Sequence, residues 1–449
     1  MQPTAGAQPS ATLNRQHFAT SRMMEFFAEK ELVAQTGHST EQWPAVVLKE
    51  ALDNALDGCE DAGTAPVIET IVTANAITIA DNGPGIPPEV VERILDYSVR
   101  VSSREAYVAP DRGAQGNALK TIIAMPFVLD GTSGHVDIEA HGVRHRITAR
   151  VDRIRQEPVL DHQPEPSDVK TGTHLTMHWP NSASSILEEA EAQFLQIAQS
   201  FAFLNPHLDL TLAWGGTQYH WPATDPAWAK WLPRNPTSPH WYREPELARL
   251  IAAYLSADAV TGRERLVREF IAEFRGLTGS AKQKRVLEAT GLARQPLSAL
   301  AAGDDLDHER VGALLAAMQA HSKPVPSMGL GIIGRAHLEA RCRELGAEMA
   351  SFEYGKQIGI TASLPWVIET AFAWRGDDCE EARTLVTGVN WSAGIVNPFR
   401  QLGRFGESLD TVLAQQRVRR DDPVIFVLHA ACPRVAYSDR GKSAVVLGG

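Results

Sequence analysis

An α/β fold interrupted by a helical segment is what this sequence predicts, and three observations predict it. Short strand-like runs alternate with amphipathic helical stretches between residues 45 and 213. Residues 244–320 carry helical periodicity and almost no strand signal, and strand signals return after Lys323-Pro324, near residues 366–374 and 424–430. At roughly 150 residues per domain, 449 residues leave room for about three domains. Hydrophobic residues make up 44% and charged residues 22%, which excludes a mainly disordered chain. No apolar run approaches the ~18–20 residues that span a bilayer, so no membrane partner is expected. The N-terminus lacks the basic-then-apolar pattern of a signal peptide. Cys59, Cys342, Cys379 and Cys432 lie far apart and form no CxxC, which argues against a zinc site or disulfide framework and fits a cytoplasmic protein. The net charge of −11 repels phosphate, so any contact with nucleic acid requires a local basic patch.

The elements follow in order. Residues 1–17 read as a flexible tail of Ala, Gln, Pro, Ser and Thr, and residues 18–32 as helical. Residues 45–62 form a helix; strands follow at 67–72 and 76–80, the second ending in the loop signal DNGPGIP. Residues 134–151 alternate across a turn at His141-Gly142 and read as a hairpin; 173–179 is a strand, 187–204 an amphipathic helix and 208–213 another strand. Between residues 214 and 242, Trp214, Trp221, Trp228, Trp231 and Trp241 interleave with prolines, either as a connector packed on a surface or as an aromatic ligand platform.

The candidate chemistry begins on the first long helix. At roughly 100° per residue, Glu50, Asn54 and Asp57 share one face, opposite Ala45, Leu48, Leu52, Ala55, Leu56 and Cys59. That stripe is either a solvated face or a carboxylate-amide set directed at something polar. Asp53, Glu60 and Asp61 read as solvated. Next, Asp81 ends a strand and Gly83 and Gly85 follow in a tight turn, which offers a carboxylate with backbone open to a ligand. Third, the Gly-rich run from Arg112 through Gly113, Gly116 and Asn117 leads into an apolar helix, whose N-terminus suits phosphate. Fourth, Thr171-Gly172-Thr173-His174 opens a strand.

These four motifs, in this order and spacing, resemble the ATP site of the GHKL superfamily (gyrase, heat-shock chaperone, histidine kinase, mismatch-repair ATPase). The resemblance extends from about residue 18 to the C-terminus. FFAEKELVAQTG is similar to the strap of the type IIB topoisomerase ATPase subunit family (topoisomerase VI B), and SFAFLNPHLDLTL to the segment closing its ATPase domain. VREFIAEFRGLTGSAKQKRVLEATGL resembles its helix-two-turns-helix insert; PSMGLGIIG, SLPWVIETAFAWRG, GVNWSAGIVNPF and VAYSDRGKSAV resemble its transducer. The implied architecture is a GHKL (Bergerat) ATPase α/β sandwich over residues 18–225, a connector and helix-two-turns-helix-like helical domain over 226–322, and an α/β transducer domain over 323–449.

The resemblance also implies roles. Glu50 matches the general base that activates water against the γ-phosphate. Asn54 matches the magnesium ligand, and Asp57 a supporting contact near the nucleotide. Asp81 matches the acceptor of the adenine amino group, Thr173 its helper, and Gly83 and Gly85 the turn beneath the purine. Gly113, Gly116 and Asn117 match the phosphate loop closing an ATP lid that spans roughly residues 87–112. Lys120 is either a phosphate contact or a solvated lysine. Lys442 matches the transducer lysine that reaches the γ-phosphate. The cofactors implied are ATP and Mg2+. The partners implied are DNA, a separate topoisomerase VI A-like cleaving subunit, and a second copy of the chain in an ATP-dependent homodimer that buries strap residues such as Phe26 and Phe27.

Departures from the pattern are Ala118, where the lid loop often has a third glycine, NWSAGIVNPF, where the family reads more like NRVPLL, and a chain that runs only seven residues past Lys442. No Toprim-like acidic cluster or tyrosine nucleophile is visible, and His141, His145, His174 and His178 share no metal-ligand spacing. An ATP-gated DNA clamp or switch in genome defence or repair, without strand passage, is the alternative reading. Arg263, Arg265, Arg268, Arg275, Lys282, Lys284, Arg285 and Arg294 in the helical insert either meet DNA or pair with Glu264, Glu269, Glu273 and Glu288.

Overall fold

Apolar alternation builds the first sheet. In β1 (Val67–Thr73) every second side chain is buried, Ile68, Thr70 and Val72, while Val67 and Ile71 face outward. A computed structural model describes residues 22–97, 106–112, 117–152, 154–155, 157–376, 378–402, 406–438 and 444–446. With β2 (Ala76–Asp81), β3 (Gly134–Ala140), β4 (Val143–Asp152), β5 (Glu157–Pro166), β6 (His174–His178), β7 (Asp209–Trp214) and β8 (Thr217–Trp221), β1 forms an eight-stranded sheet ordered β5-β4-β3-β6-β2-β1-β7-β8. All neighbours run antiparallel except β1 and β7, which are parallel.

The helices before and within this sheet are α1 (Glu29–Thr36), α2 (Trp43–Ala62), α3 (Pro88–Leu95), α4 (Ala118–Asp130), α5 (Ser184–Glu188) and α6 (Glu191–Leu204). The 187–204 helix expected from periodicity is therefore two helices. A 3-10 turn at Arg22–Phe27 precedes α1. Phe27 is buried against Tyr97 and Phe127 of its own chain, and Phe26 packs edge-on to Tyr97 at 5.1 Å. Phe27 is thus core here, not an apolar group held in reserve for a second copy.

The middle of the chain is helical: α7 (Glu244–Thr261), α8 (Val267–Ala272), α9 (Ser280–Thr290), the short pair β9 (Ala301–Ala302) and β10 (Asp305–Leu306), and α10 (His308–Ala320). The Trp-rich connector packs. Trp231 and Trp241 are buried edge-to-face at 4.7 Å, and Trp228 lies against His207 and Trp391. After α11 (Arg335–Glu344), a second sheet forms from β11 (Glu353–Thr361), β12 (Leu364–Trp374), β13 (Thr384–Val389), β14 (Ser392–Ala393) and β15 (Val424–Ala431), ordered β11-β12-β15-β13-β14. Helix α12 (Leu409–Gln415) precedes β15, and β16 (Ala436–Tyr437) pairs with β17 (Val445–Val446).

Helix α6 is the wall shared by both sheets, touching β7 on one side and β13 and β14 on the other. The fit is close: a Cβ on Gly388 of β13 would sit 2.2 Å from Leu204 Cδ1. Helix α2 also reaches β14, so the helix carrying Glu50 lies against both sheets. No helix among the described residues is long and apolar enough to cross a membrane.

Candidate nucleotide site

Asp81 closes β2, and its carboxylate folds back over the following turn. Oδ1 accepts from the Gly83 N–H at 2.8 Å and the Thr173 N–H at 3.3 Å, while the Asp81 N–H donates to the Thr173 carbonyl at 3.0 Å. Burial pushes the Asp81 carboxyl up, against these backbone bonds. Both bonds fall on one oxygen, and a carboxylate has a second with which to accept from an amine. Glycines let the two loops touch. Gly172 has φ +74, and a Cβ there would sit 1.8 Å from the Asp81 carbonyl oxygen; Gly85 has φ +84, and its Cβ would meet the Gly172 carbonyl at 2.9 Å. Asp81, Gly83, Gly85 and Thr173, read from two separate motifs, therefore lie together where the two loops touch.

Helix α2 forms the adjoining wall. A Cβ on Gly83 would lie 3.2 Å from Cys59 Sγ, and Cys59 donates to Asn82 Oδ1 at 3.4 Å, so the C-terminal end of α2 sits on the turn. At a rise of about 1.5 Å per residue, Asn54 and Glu50 follow along the same helix, one turn apart. Asn54 is exposed and the Glu50 side chain is 32% exposed. Lys49 bridges Glu50 Oε1 and Asp53 Oδ2 at 3.0 Å each. No hydrogen bond among the described residues holds the Asn54 side chain. Magnesium keeps most of its waters and takes one or two protein oxygens beside phosphates, so an exposed amide oxygen beside Glu50 fits that ion.

Within the span expected to form a lid, α3 is followed by Tyr97. Lys120 is neither solvated nor directed outward: it is 1% exposed, and its ammonium donates to the Asp96 carbonyl at 2.6 Å and lies 5.4 Å from the Tyr97 ring centre. Burial pulls its pKa down. The Tyr97 hydroxyl returns a bond to the Lys120 carbonyl at 2.8 Å, so Lys120 pins the base of the lid to α4. Asn117 occupies the N-cap position of α4, with Oδ1 buried and without a hydrogen-bond partner among the described residues. Gly113, Gly116 and Lys442 lie outside the described residues.

The largest departure from expectation is behind the α2 wall. Asp53 and Glu60, read as solvated, are 4% and 5% exposed. Asp57, read as a nucleotide contact, is 6% exposed and meets Arg112 Nη1 at 2.9 Å. Arg112 also bonds both oxygens of Glu60 at 2.7 Å and Asn205 Oδ1 at 2.5 Å. Lys230 reaches Glu60 Oε2 at 2.8 Å, His207 faces Oε1 at 3.0 Å, and Ser392 donates to Asp53 Oδ2 at 2.7 Å. The physical reason is coverage: α6, the connector and β14 close over a face that a two-sided helical wheel assigns to water. The signal in the sequence was the acidic excess on α2, where Glu50, Asp53, Asp57, Glu60 and Asp61 accompany the lone cation Lys49. A cavity of about 410 Å³ lies beyond this cluster, between Asp61, Tyr107, Asp111, Arg234 and the insert residues Tyr254 and Glu273, and shares no residue with the Asp81 pocket.

Comparison with known proteins agrees with the motif reading. Residues 40–182 match the family model of the histidine kinase-, DNA gyrase B-, and HSP90-like ATPase, and carry that ATPase fold. The chain is similar to the type 2 DNA topoisomerase 6 B-subunit of Archaeoglobus fulgidus, 24% identical over 421 residues, covering 89% of this chain and 66% of that relative. The protein of the same name from Natronomonas pharaonis is 26% identical over 212 residues, covering 45% of this chain and 25% of the relative. The chain therefore spans less than two-thirds of the length of these relatives. Among solved structures, the gyrase B-subunit of Myxococcus xanthus superposes with a TM-score of 0.36 at 10% identity, covering 94% of this chain and 86% of that one.

Proposed function

We propose that this chain is the ATP-binding and ATP-hydrolysing subunit of a type IIB topoisomerase-like complex, acting on DNA as an ATP-gated dimer with a separate DNA-cleaving subunit. The observation that supports the nucleotide reading is the contact of the Asp81–Gly83 and Gly172–Thr173 loops beside the end of α2, the helix that also carries Glu50 and Asn54. Asp81 accepts from the exocyclic amine of adenine, which a guanine carbonyl cannot supply at that position. Thr173 and the glycine turn hold the purine by backbone contact. Asn54 would hold a magnesium ion, which when bound would supply charge neutralisation at the phosphates. Gly113, Gly116 and Asn117 receive the phosphates at the start of α4.

Glu50 accepts a proton from the attacking water as the water oxygen bonds the γ-phosphorus and the bond to the β–γ bridging oxygen breaks. Phosphate and ADP leave. Lys442, as a compact point charge, contacts the γ-phosphate only before hydrolysis and so makes the proposed transducer domain over 323–449 sensitive to nucleotide state. The test is Glu50→Gln: turnover should fall at least about 100-fold while a non-hydrolysable ATP analogue still binds. Near-normal turnover would remove Glu50 as the base. The assembly is tested by sedimentation, in which the analogue should convert monomer to dimer; equal mass with and without it would count against ATP-gated association.

A further inference from the structure

A line of polar contacts runs from the second sheet to Glu50. Ser392 opens β14, the short strand that folds back on β13. It is buried, and its hydroxyl donates to Asp53 Oδ2 at 2.7 Å, across 339 positions of sequence. The same Oδ2 takes Lys49 Nζ at 3.0 Å, and Lys49 holds Glu50 Oε1 at 3.0 Å. The hairpin tip is itself fixed. Asn390 and Trp391 adopt left-handed φ of 50° and 63°. Asn390 Oδ1 accepts from the Cys432 N–H at 2.9 Å, its Nδ2 donates to the Asp111 carbonyl at 3.3 Å, and the Trp391 carbonyl accepts from Asn205 Nδ2 at 3.0 Å. Ser392 belongs to the β13–β14 hairpin of the second sheet, whose tip is fixed both to Cys432 beside that sheet and to Asp111 and Asn205 of the first part of the chain, while Asp53, Lys49 and Glu50 belong to α2.

We propose that Ser392 is a positioning residue for Glu50, acting through Asp53 and Lys49, so that the seating of the second sheet sets the orientation of the carboxylate that receives the water proton. The inference rests on the assignment of Glu50 as the base. Its physics is competition for one ammonium. Asp53 Oδ2 accepts from Ser392 and Lys49 together. Without the hydroxyl its charge draws Lys49 toward Asp53, and the Lys49 contact to Glu50 Oε1 lengthens. A displacement of the second sheet relative to α2 would carry the hydroxyl off Asp53, a route from that sheet to the base separate from Lys442.

The test measures kcat and KM for ATP in the full chain, with Glu50→Gln as reference. Ser392→Ala should lower kcat about 10-fold, since a small misplacement of a reacting group is costly, with KM and analogue affinity unchanged within about twofold. Ser392→Thr, which keeps the donor, should restore kcat. In an Asp53→Asn background Ser392→Ala should cost less than about twofold more, because the two residues act through one contact. That cycle also decides the matter if Ser392→Ala alone folds poorly. Unchanged kcat in Ser392→Ala beside an inactive Glu50→Gln overturns this proposal and leaves the ATPase reading intact. Full loss from Ser392→Ala in the Asp53→Asn background overturns it as well. Turnover by Glu50→Gln instead removes the base assignment, and the proposal with it.

Discussion

Arg112 grips Glu60 by both oxygens, Nη1 to Oε2 and Nη2 to Oε1 at 2.7 Å each, and so ties the end of the lid to the last turn of α2. The fork-on-fork geometry is the strong form of a charged hydrogen bond. Around it, Arg112, Lys230 and Lys49 face Asp53, Asp57 and Glu60, three cations against three carboxylates, all largely withdrawn from water. Such a cluster is marginal as a source of stability when whole and costly when broken.

Arg112→Met should therefore destabilise the fold by about 3–5 kcal/mol, the usual cost of stranding buried charge. Arg112→Lys should recover only part of this, because an ammonium cannot fork. Urea denaturation checks both. The pH dependence has a definite sign. Burial alone would push the Glu60 carboxyl up; Arg112 and Lys230 outweigh burial and hold it well below its ordinary 4.5. A depressed carboxylate contributes stability that is present above its unfolded value and lost as pH falls through the folded one. Arg112→Met should flatten the acid limb of the stability curve.

The same cluster marks the limit of what the sequence discloses. Helix α2 was legible from its apolar stripe, and the Asp81 and Thr173 motifs from their glycines, because those signals are local. Apart from Lys49 one turn back on α2, the partners of Asp53 and Glu60 are Ser392, Arg112, Lys230 and His207, which only the tertiary fold brings together. Strand β5 escaped notice because Pro158, Pro164 and Pro166 lie within it. It is an edge strand, where a missing N–H is tolerated. The helix expected over 187–204 is divided at the turn Glu189–Ala190, where the Ala190 N–H bonds the Leu187 carbonyl three residues back at 3.1 Å, although the apolar period continues across the gap.

His337 supplies a second pH-dependent step. It is 6% exposed, with Nε2 facing the Phe203 carbonyl at 2.9 Å and Nδ1 facing the Thr224 hydroxyl at 2.5 Å. Burial, with Arg341 nearby, lowers its pKa from 6.5 to about 4. The unfolded chain therefore binds a proton that the fold refuses. Stability is full above the unfolded value and falls as pH drops from 6.5 toward about 4. The whole step amounts to roughly 3 kcal/mol. Denaturation of wild type and His337→Gln at about pH 5 and about pH 7.5 measures it; the variant should show the smaller difference.

Gly172→Ala tests the contact between the two loops. The added Cβ would lie 1.8 Å from the Asp81 carbonyl oxygen, and φ is +74. The loops must part, at about 1–3 kcal/mol for overpacking on top of about 1–2 kcal/mol for a left-handed side chain. Gly262→Ala is the control, since φ is +67 there but nothing lies within 4 Å of the new methyl. It should carry the backbone cost alone and leave nucleotide affinity unchanged, whereas Gly172→Ala should lose affinity at least about 10-fold. Equal affinities in calorimetric titration would separate the Asp81–Thr173 contact from adenine binding.

The proposed function requires a basic patch for DNA on a chain of net charge −11, and the helical insert is the place proposed for it. Several of its arginines are already engaged: Arg265 pairs with Asp258 at 3.0 Å and Glu273 at 2.8 Å, Arg268 donates to Gln283 at 2.9 Å, Arg275 lies over Trp231 at 5.2 Å, and Arg263 reaches Glu269 at 3.6 Å. Lys282, Lys284 and Arg285 instead stand exposed on α9. Lys282 donates to the Gly276 carbonyl at 2.8 Å, and Lys284 makes an exposed pair with Glu288 at 3.6 Å. Such a surface pair holds its lysine by less than about 1 kcal/mol, so a phosphate can displace it. Reversing the three charges should weaken DNA binding equally for all sequences, because phosphate contacts carry no base information. It should also reduce the salt slope of log K by roughly 2–3, near 0.9 per lost contact. Fluorescence anisotropy across a salt series reads both. Unchanged affinity and slope in the triple variant would place the DNA path away from α9, and the same measurement on the wild type sets the number of phosphates any other path must supply.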